Sequence, residues 1–323
     1  MSTPSTLISE LTPEMARAMD SWAQSGAPGY ARAGAEGSRA AYRRSTARGA
    51  WEPTYPVDTD DVVLGDRSRA RIYRPRTSDI DTGAGTSPTP IVYLHGGGFV
   101  MGDLDTHDSV CRELSGASGL PVIAVDYPLA PENPFPAAPD FALGLIERVI
   151  EAAPALGVSA ERVVVAGDSA GACLAAVMSI GAPGRERIAA QCLFYPATDL
   201  HCDTASFRDV ASGYPVTGPD GLWFTKSYLP SPDLADDWRA SPLLAASVAM
   251  SPPTLLLTVG HDPLRDEGLA FGDRLEDQGV RVLRRHMPAH VHGFLTNGAA
   301  VPEARAELAF AAGFVRGVLS ATA

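Results

Sequence analysis

Two hydrophobic periods divide the chain. Up to about residue 50 the apolar positions recur at helical spacing, and in "LTPEMARAMDSW" Met15, Met19 and Trp22 fall on one face. Thr12 precedes them as a helix cap, Pro13 suits the first helical position, and Leu11 can close a hydrophobic staple. A second stretch, "GSRAAYRRSTARGAW", carries a weaker helical pattern. From Val57 the period changes. "VDTDDVVLG" and "SRARIYRP", joined by a short polar turn, predict an antiparallel hairpin. The polar "RTSDIDTGAGTSPTP" then predicts a surface loop.

Beyond it, six compact apolar runs alternate with helical stretches. They are "PIVYLH" (90–95), "PVIAVDY" (121–127), "RVVVAG" (162–167), "QCLFYP" (191–196), "TLLLTVG" (254–260) and "VRVLRRHM" (280–287). Continuous apolar strands separated by helices predict an α/β fold, with a mostly parallel sheet of about eight strands covered on both faces. One interval breaks the alternation. More than fifty residues separate "QCLFYP" from "TLLLTVG", far more than an ordinary crossover needs. Within them "GPDGLWFTKSYL" carries a helix signal, with Pro219 early and Trp223, Phe224 and Tyr228 clustered. Residues 1–50 and an inserted segment at about 200–245 are therefore expected to build a helical cap above the strand ends of a catalytic domain spanning 51–323.

Composition narrows the classes. A hydrophobic share of 45% and a charged share of 20% fit a soluble globular protein. The net charge of −12 argues against a nucleic-acid surface and disfavours an anionic membrane partner. Cys111, Cys173, Cys192 and Cys202 show no CxxC or CxxH spacing and read as reduced thiols, with no zinc cluster. The stretch "MSTPSTLISELTPEM" lacks a basic n-region and a continuous apolar run, so no secretory signal is expected. No run approaches the ~20 apolar residues that span a bilayer, and the expected address is cytoplasmic.

In open parallel sheets the working groups lie beyond the carboxyl ends of the strands. There the chain places "HGGGF" (95–99), "GDSAG" (167–171), "HDPLRDEG" with Asp262 first beyond its strand, and "AHVHGF" with His290 and His292. Ser169, then Asp262, then His292 is the chain order of an α/β-hydrolase triad. Gly167 and Gly171 provide the small neighbours that a strained strand-to-helix turn requires, and the turn exposes Ser169. Ala170 opens the following helix, whose N-terminal amides favour negative charge nearby.

Other polar residues in these loops have blander readings. Asp168 reads as a hydrogen-bond acceptor and His95 as a residue that orients the glycine loop. His290 reads as structural, since a metal pair with His292 lacks a third ligand. Asp266 and Glu267 suit the first turn of a helix, with Asp266 the one rival to Asp262. "HCDT" (201–204) reads as loop. Trp22, Trp223, Phe224 and Tyr228 suit a cap core more than a pocket wall.

On "HGGGFVMGDLDTHD", "VDYPLAPENPFPAA", "GDSAG", "DPLRDEG" and "HGF" the chain resembles the hormone-sensitive-lipase family of α/β-hydrolase esterases, the bacterial family IV carboxylesterases. The resemblance implies Ser169 as nucleophile, His292 as base and Asp262 as the acid that orients it. It also implies an oxyanion hole formed by Gly97, Gly98 and the N–H of Ala170. It departs from the family pattern at Ala172 (usually Gly), at Pro128 (usually Arg) and at His261 (often acidic or aromatic). The implied function is a serine carboxylesterase acting on small-molecule esters of short to medium chain length, without metal or organic cofactor. Some relatives are amidases or formamidases on the same triad, and some are ligand receptors without activity, which would predict a damaged triad. A dehalogenase or epoxide hydrolase would want Asp in place of Ser169. Family members often form homodimers.

Overall fold

All the predicted strands join one sheet. They are β1 (Val57–Leu64), β2 (Ser68–Pro75), β3 (Ile91–Leu94), β4 (Val122–Val125), β5 (Val163–Asp168), β6 (Ile188–Phe194), β7 (Thr254–His261) and β8 (Val282–Val291). The computed structural model describes residues 7–26, 29–65, 68–76, 88–159 and 161–321. Most of the loop predicted over 76–90, the hairpin turn at 66–67 and the first six residues lie outside these. The sheet order is β1-β2-β4-β3-β5-β6-β7-β8. β2 runs antiparallel to β1 and β4, and the remaining pairs are parallel.

The helices are α1 (Pro13–Gln24), α2 (Tyr30–Gly49), α3 (Asp108–Ser118), α4 (Ala137–Leu143), α5 (Leu145–Leu156), α6 (Ala170–Gly181), α7 (Ala205–Asp209), α8 (Gly218–Tyr228), α9 (Arg265–Asp277) and α10 (Glu303–Ser320). β3, β4 and β5 are buried along their whole length, which is why their sequences are unbroken apolar runs. Alternate residues serve opposite faces. Val163 and Val165 join the core under α5 and α6, while Val164 and Ala166 join the core under α3 and α10. α1 starts as the sequence predicts: the Thr12 hydroxyl accepts from the Met15 amide at 3.2 Å, and Met15 and Met19 are buried.

Three boundaries differ from expectation. β6 begins three residues early, at Ile188, where it pairs with Val163. α2 begins at Tyr30, and Gly34 at φ +67° kinks it and breaks the helical pattern. β8 continues to Val291, which pairs with His261 past a register break, so His290 lies within the strand. Among the described residues no helix is long and apolar enough to cross a membrane.

Candidate active site

Ser169 sits between β5 and α6 at φ +54°, in the left-handed region that side chains other than glycine rarely occupy. The surrounding backbone explains the glycines. A Cβ on Gly171 would lie 2.0 Å from the Leu94 carbonyl oxygen, and one on Gly167 would lie 2.6 Å from the Gly171 backbone. The turn thus holds a hydroxyl at the start of α6, where first-turn amides have no intrahelical acceptor. Ala172, the small departure from the family pattern, is fully buried in α6.

Three strand ends converge on that hydroxyl. His292, just past β8, places Nε2 at 2.9 Å from Ser169 Oγ. Its Nδ1 lies 2.9 Å from Asp262 Oδ2, just past β7. Since the carboxylate can only accept there, Nδ1 carries the hydrogen and Nε2 is left to accept from the serine. The other Asp262 oxygen accepts from the Leu264 amide at 2.8 Å. All three side chains are buried. Asp266, the rival acid, faces away: it accepts from the Ser206 amide at 2.7 Å and pairs with Arg265.

Gly97 at φ +128° and Gly98 at φ +61° form the turn after β3 and line a cavity together with Ser169, Ala170 and His292. This loop is fastened from behind by Asp168. Its carboxylate accepts from the Gly96 amide at 2.9 Å and the Tyr93 hydroxyl at 2.8 Å, with His107 Nε2 at 3.2 Å. Burial alone would raise the Asp168 pKa, but His107 and Tyr93 outweigh it and hold it below the ordinary carboxylate value. His95 donates from Nδ1 to the Gly96 carbonyl at 2.9 Å and stacks on Tyr127, and burial pushes its pKa down to about 4. The expectations for Asp168 and His95 agree with these contacts. His107, within "DLDTHD", was missed.

The cavity measures about 80 Å³ and its walls are mainly apolar. Tyr30 and Tyr42 reach it from α2, Phe207 from α7, and Phe224 from α8. Phe224 covers Gly98 so closely that a Cβ there would lie 2.4 Å from its ring. Of the four aromatics singled out in the sequence, only Phe224 lines the cavity. Tyr228 stacks on Phe99 at 4.0 Å, Trp223 packs beside Phe224, and Trp22 packs with α1 on the other core. Asp199 and Cys202, in the loop after β6, also line the cavity.

"HCDT" is loop, as expected, and in it His201 bridges Asp199 at 2.6 Å and Asp236 at 3.1 Å. Those hydrogen bonds, to Asp199 first, raise the His201 pKa. Glu267 lies in the first turn of α9, as expected. It is buried, accepts from the Thr198 and Asp199 amides at 2.7 and 3.1 Å, and has its pKa raised well above normal by burial. His290 is buried against Phe294. At Pro128, where the resemblance implies Arg, no guanidinium is present, and Glu132 pairs with Arg39 of α2 at 2.6 Å.

An α/β sheet with a hydroxyl, an imidazole and a carboxylate aligned beside a glycine turn defines a hydrolase fold, and sequence relationships agree. Residues 91–296 match the alpha/beta hydrolase fold family. The chain belongs to this family, within its hormone-sensitive-lipase branch of bacterial family IV carboxylesterases. It is 36% identical over 277 residues to an ethyl acetate hydrolase of Pseudomonas putida, covering 84% of this chain and 86% of the relative. It is 37% identical over 223 residues to the carboxylesterase NlhH of Mycobacterium tuberculosis, covering 66% and 69%. Among solved structures, a hyperthermophilic esterase from the archaeon Pyrobaculum calidifontis superposes with a TM-score of 0.85 at 33% identity, over 96% of this chain and 99% of the other. An ester hydrolase from the metagenome of Lake Arreo, complexed with a bipyridine phosphonate derivative, gives 0.84 at 34% identity, over 95% and 99%.

Proposed function

We propose that this enzyme, a carboxylic ester hydrolase, cleaves short- to medium-chain carboxylic esters through an acyl-enzyme formed on Ser169. The observation that carries the reading is the unbroken chain Asp262–His292–Ser169, with both links at 2.9 Å. His292 takes the serine proton as Oγ attacks the ester carbonyl, and Asp262 holds the imidazole tautomer and stabilises the imidazolium. The N–H groups of Gly97, Gly98 and Ala170 receive the developing oxyanion, each donor lowering the barrier by on the order of 3 kcal/mol. His292 then protonates the departing alcohol, and water attacks the acyl-enzyme by the same route. Small substrates suit a cavity of about 80 Å³, well below the several hundred Å³ of sites for larger ligands. In this reading residues 1–50 and about 200–245 form the cap, supported by Tyr30 and Phe224 meeting at 5.5 Å over the cavity. The four free cysteines support a reducing, cytoplasmic setting.

Ser169→Ala tests the reading. Hydrolysis of an acyl-length series of p-nitrophenyl esters should fall by several orders of magnitude, with the thermal midpoint retained and labelling by an organophosphate abolished. Retention of wild-type turnover would remove Ser169 as nucleophile. Matched anilides, tested against the esters, separate an esterase from an amidase.

A further inference from the structure

The contacts of His261 join three parts of the chain beside the proposed triad acid. It is the last residue of β7, directly before Asp262, and its carbonyl accepts from the His292 amide at 3.3 Å. Its side chain bridges outward in two directions. Nε2 faces the Ser9 carbonyl at 2.9 Å, so it carries the hydrogen and donates. In the neutral ring Nδ1 then accepts from the Tyr214 hydroxyl, 2.8 Å away.

The two partners belong to separate segments, one running along β8 and the other leading to the cavity. Ser9 lies in the strap ahead of α1, which runs along β8 through hydrogen bonds from Ser9 N to Pro288 O (3.1 Å) and from Thr12 N to Ala289 O (3.4 Å). His286 repeats the arrangement one step earlier, donating to the Leu7 carbonyl at 2.8 Å while Nδ1 accepts from Thr258. The strap passes close over Gly260, where a Cβ would lie 2.8 Å from the Leu7 carbonyl oxygen. Tyr214 lies two residues before Val216, which lines the cavity, and three before Thr217, which caps α8.

We propose that His261 is a positioning residue for the reaction, pinning the strap and the loop before α8 to the strand end that carries Asp262 and His292. The proposal rests on the triad reading above. The β7–β8 register breaks between Val259 and His261, so the ladder itself holds this point least firmly. The side-chain bridge supplies the hold where Asp262 Oδ2 and His292 Nδ1 must stay at 2.9 Å. Displacements of about 1 Å at reacting groups cost on the order of a hundredfold in rate. The Tyr214 arm acts differently, fixing a wall of the cavity and hence substrate binding.

The test uses the full chain, p-nitrophenyl acetate, thermal midpoints and titration of competent serine with an organophosphonate. His261→Ala should lower kcat per titrated site at least about tenfold. His261→Gln keeps an N–H for the Ser9 carbonyl and should recover most of that loss. Tyr214→Phe should raise KM several-fold with little change in kcat, and this effect should vanish in the His261→Ala background. Wild-type kcat per titrated site in His261→Ala overturns the proposal, as does a glutamine variant no better than alanine. Should His261→Ala fail to fold, Tyr214→Phe decides, since wild-type KM in that protein also overturns it. Ser169→Ala separates the two claims: wild-type turnover there overturns the triad reading, whereas a Ser169→Ala variant reduced by several orders of magnitude beside an unimpaired His261→Ala overturns this inference alone.

Discussion

Two acidic residues stand four positions apart after β7, and their surroundings give them different work. Asp262 is fully buried, with one oxygen on His292 and the other on the Leu264 amide. An asparagine in its place presents an N–H toward Nδ1 and so favours the wrong tautomer of His292. By that argument Asp262→Asn should lower kcat by about 10³- to 10⁴-fold with the fold intact. Asp266 holds the start of α7 through the Ser206 amide and pairs with Arg265. Asp266→Asn should therefore lower stability by about 1 kcal/mol and leave kcat within about twofold of wild type. Steady-state kinetics on the two purified variants give the ranking, and a reversed order would reassign the acid. Asp168, one residue before the proposed nucleophile, shows how a carboxylate can serve a reaction without touching it: it holds the glycine loop through Gly96.

The elements around the site are held by few, specific ties. Arg39 of α2 donates from Nε to the Val100 carbonyl at 2.8 Å and from Nη2 to the Ala130 carbonyl at 2.9 Å, and pairs with Glu132. The ion pair alone is worth little, because Glu132 is largely exposed. The two backbone contacts fix where α2, and with it Tyr30 and Tyr42, sits over the cavity. Arg39→Gln should thus raise KM about fivefold, equivalent to about 1 kcal/mol, with a near-normal thermal midpoint. A fall in kcat at constant KM would instead assign the clamp to the glycine loop. The helix–strand alternation was legible because buried parallel strands must be apolar on both faces, as in "VVVAG" and "TLLLTVG". The residues brought to the strand ends were legible because a nucleophile turn and a glycine loop demand particular small residues at fixed spacing. The cavity walls were not. Tyr30, Tyr42 and Phe207 meet Ser169 only through packing between distant helices, and local period carries no record of such contacts. Glu267 does lie in the first turn of α9 as its spacing predicts, but its partners, the Thr198 and Asp199 amides, lie in another loop and were not legible in the sequence.

At the scale of the whole molecule, the buried histidines set how the fold responds to acid. His95 has its pKa pushed down to about 4 by burial, with the neighbouring His107 adding to the shift, against about 6.5 in an unfolded chain. The unfolded state therefore binds more protons between these values. The stability that His95 contributes is present above pH 6.5 and is lost as the pH falls through 6.5 toward 4. Between pH 6.5 and 4.5 this one group should cost about 2 kcal/mol. His286 and His290 are shifted the same way by burial and steepen the loss. Glu267 opposes it, because a raised carboxyl pKa favours the folded state as the pH falls. Urea unfolding of wild type and His95→Asn at the two pH values separates these contributions, since Glu267 and the other histidines are common to both proteins. The wild type should lose about 2 kcal/mol more than the variant over that interval. Because His95 lies on the loop that carries Gly97 and Gly98, its protonation also disturbs the proposed oxyanion hole. Activity in the folded wild type should then fall through this group only as the pH nears 4, where the folded ring itself takes up a proton, and equal pH slopes of the unfolding free energy in the two proteins would place the acid sensitivity elsewhere.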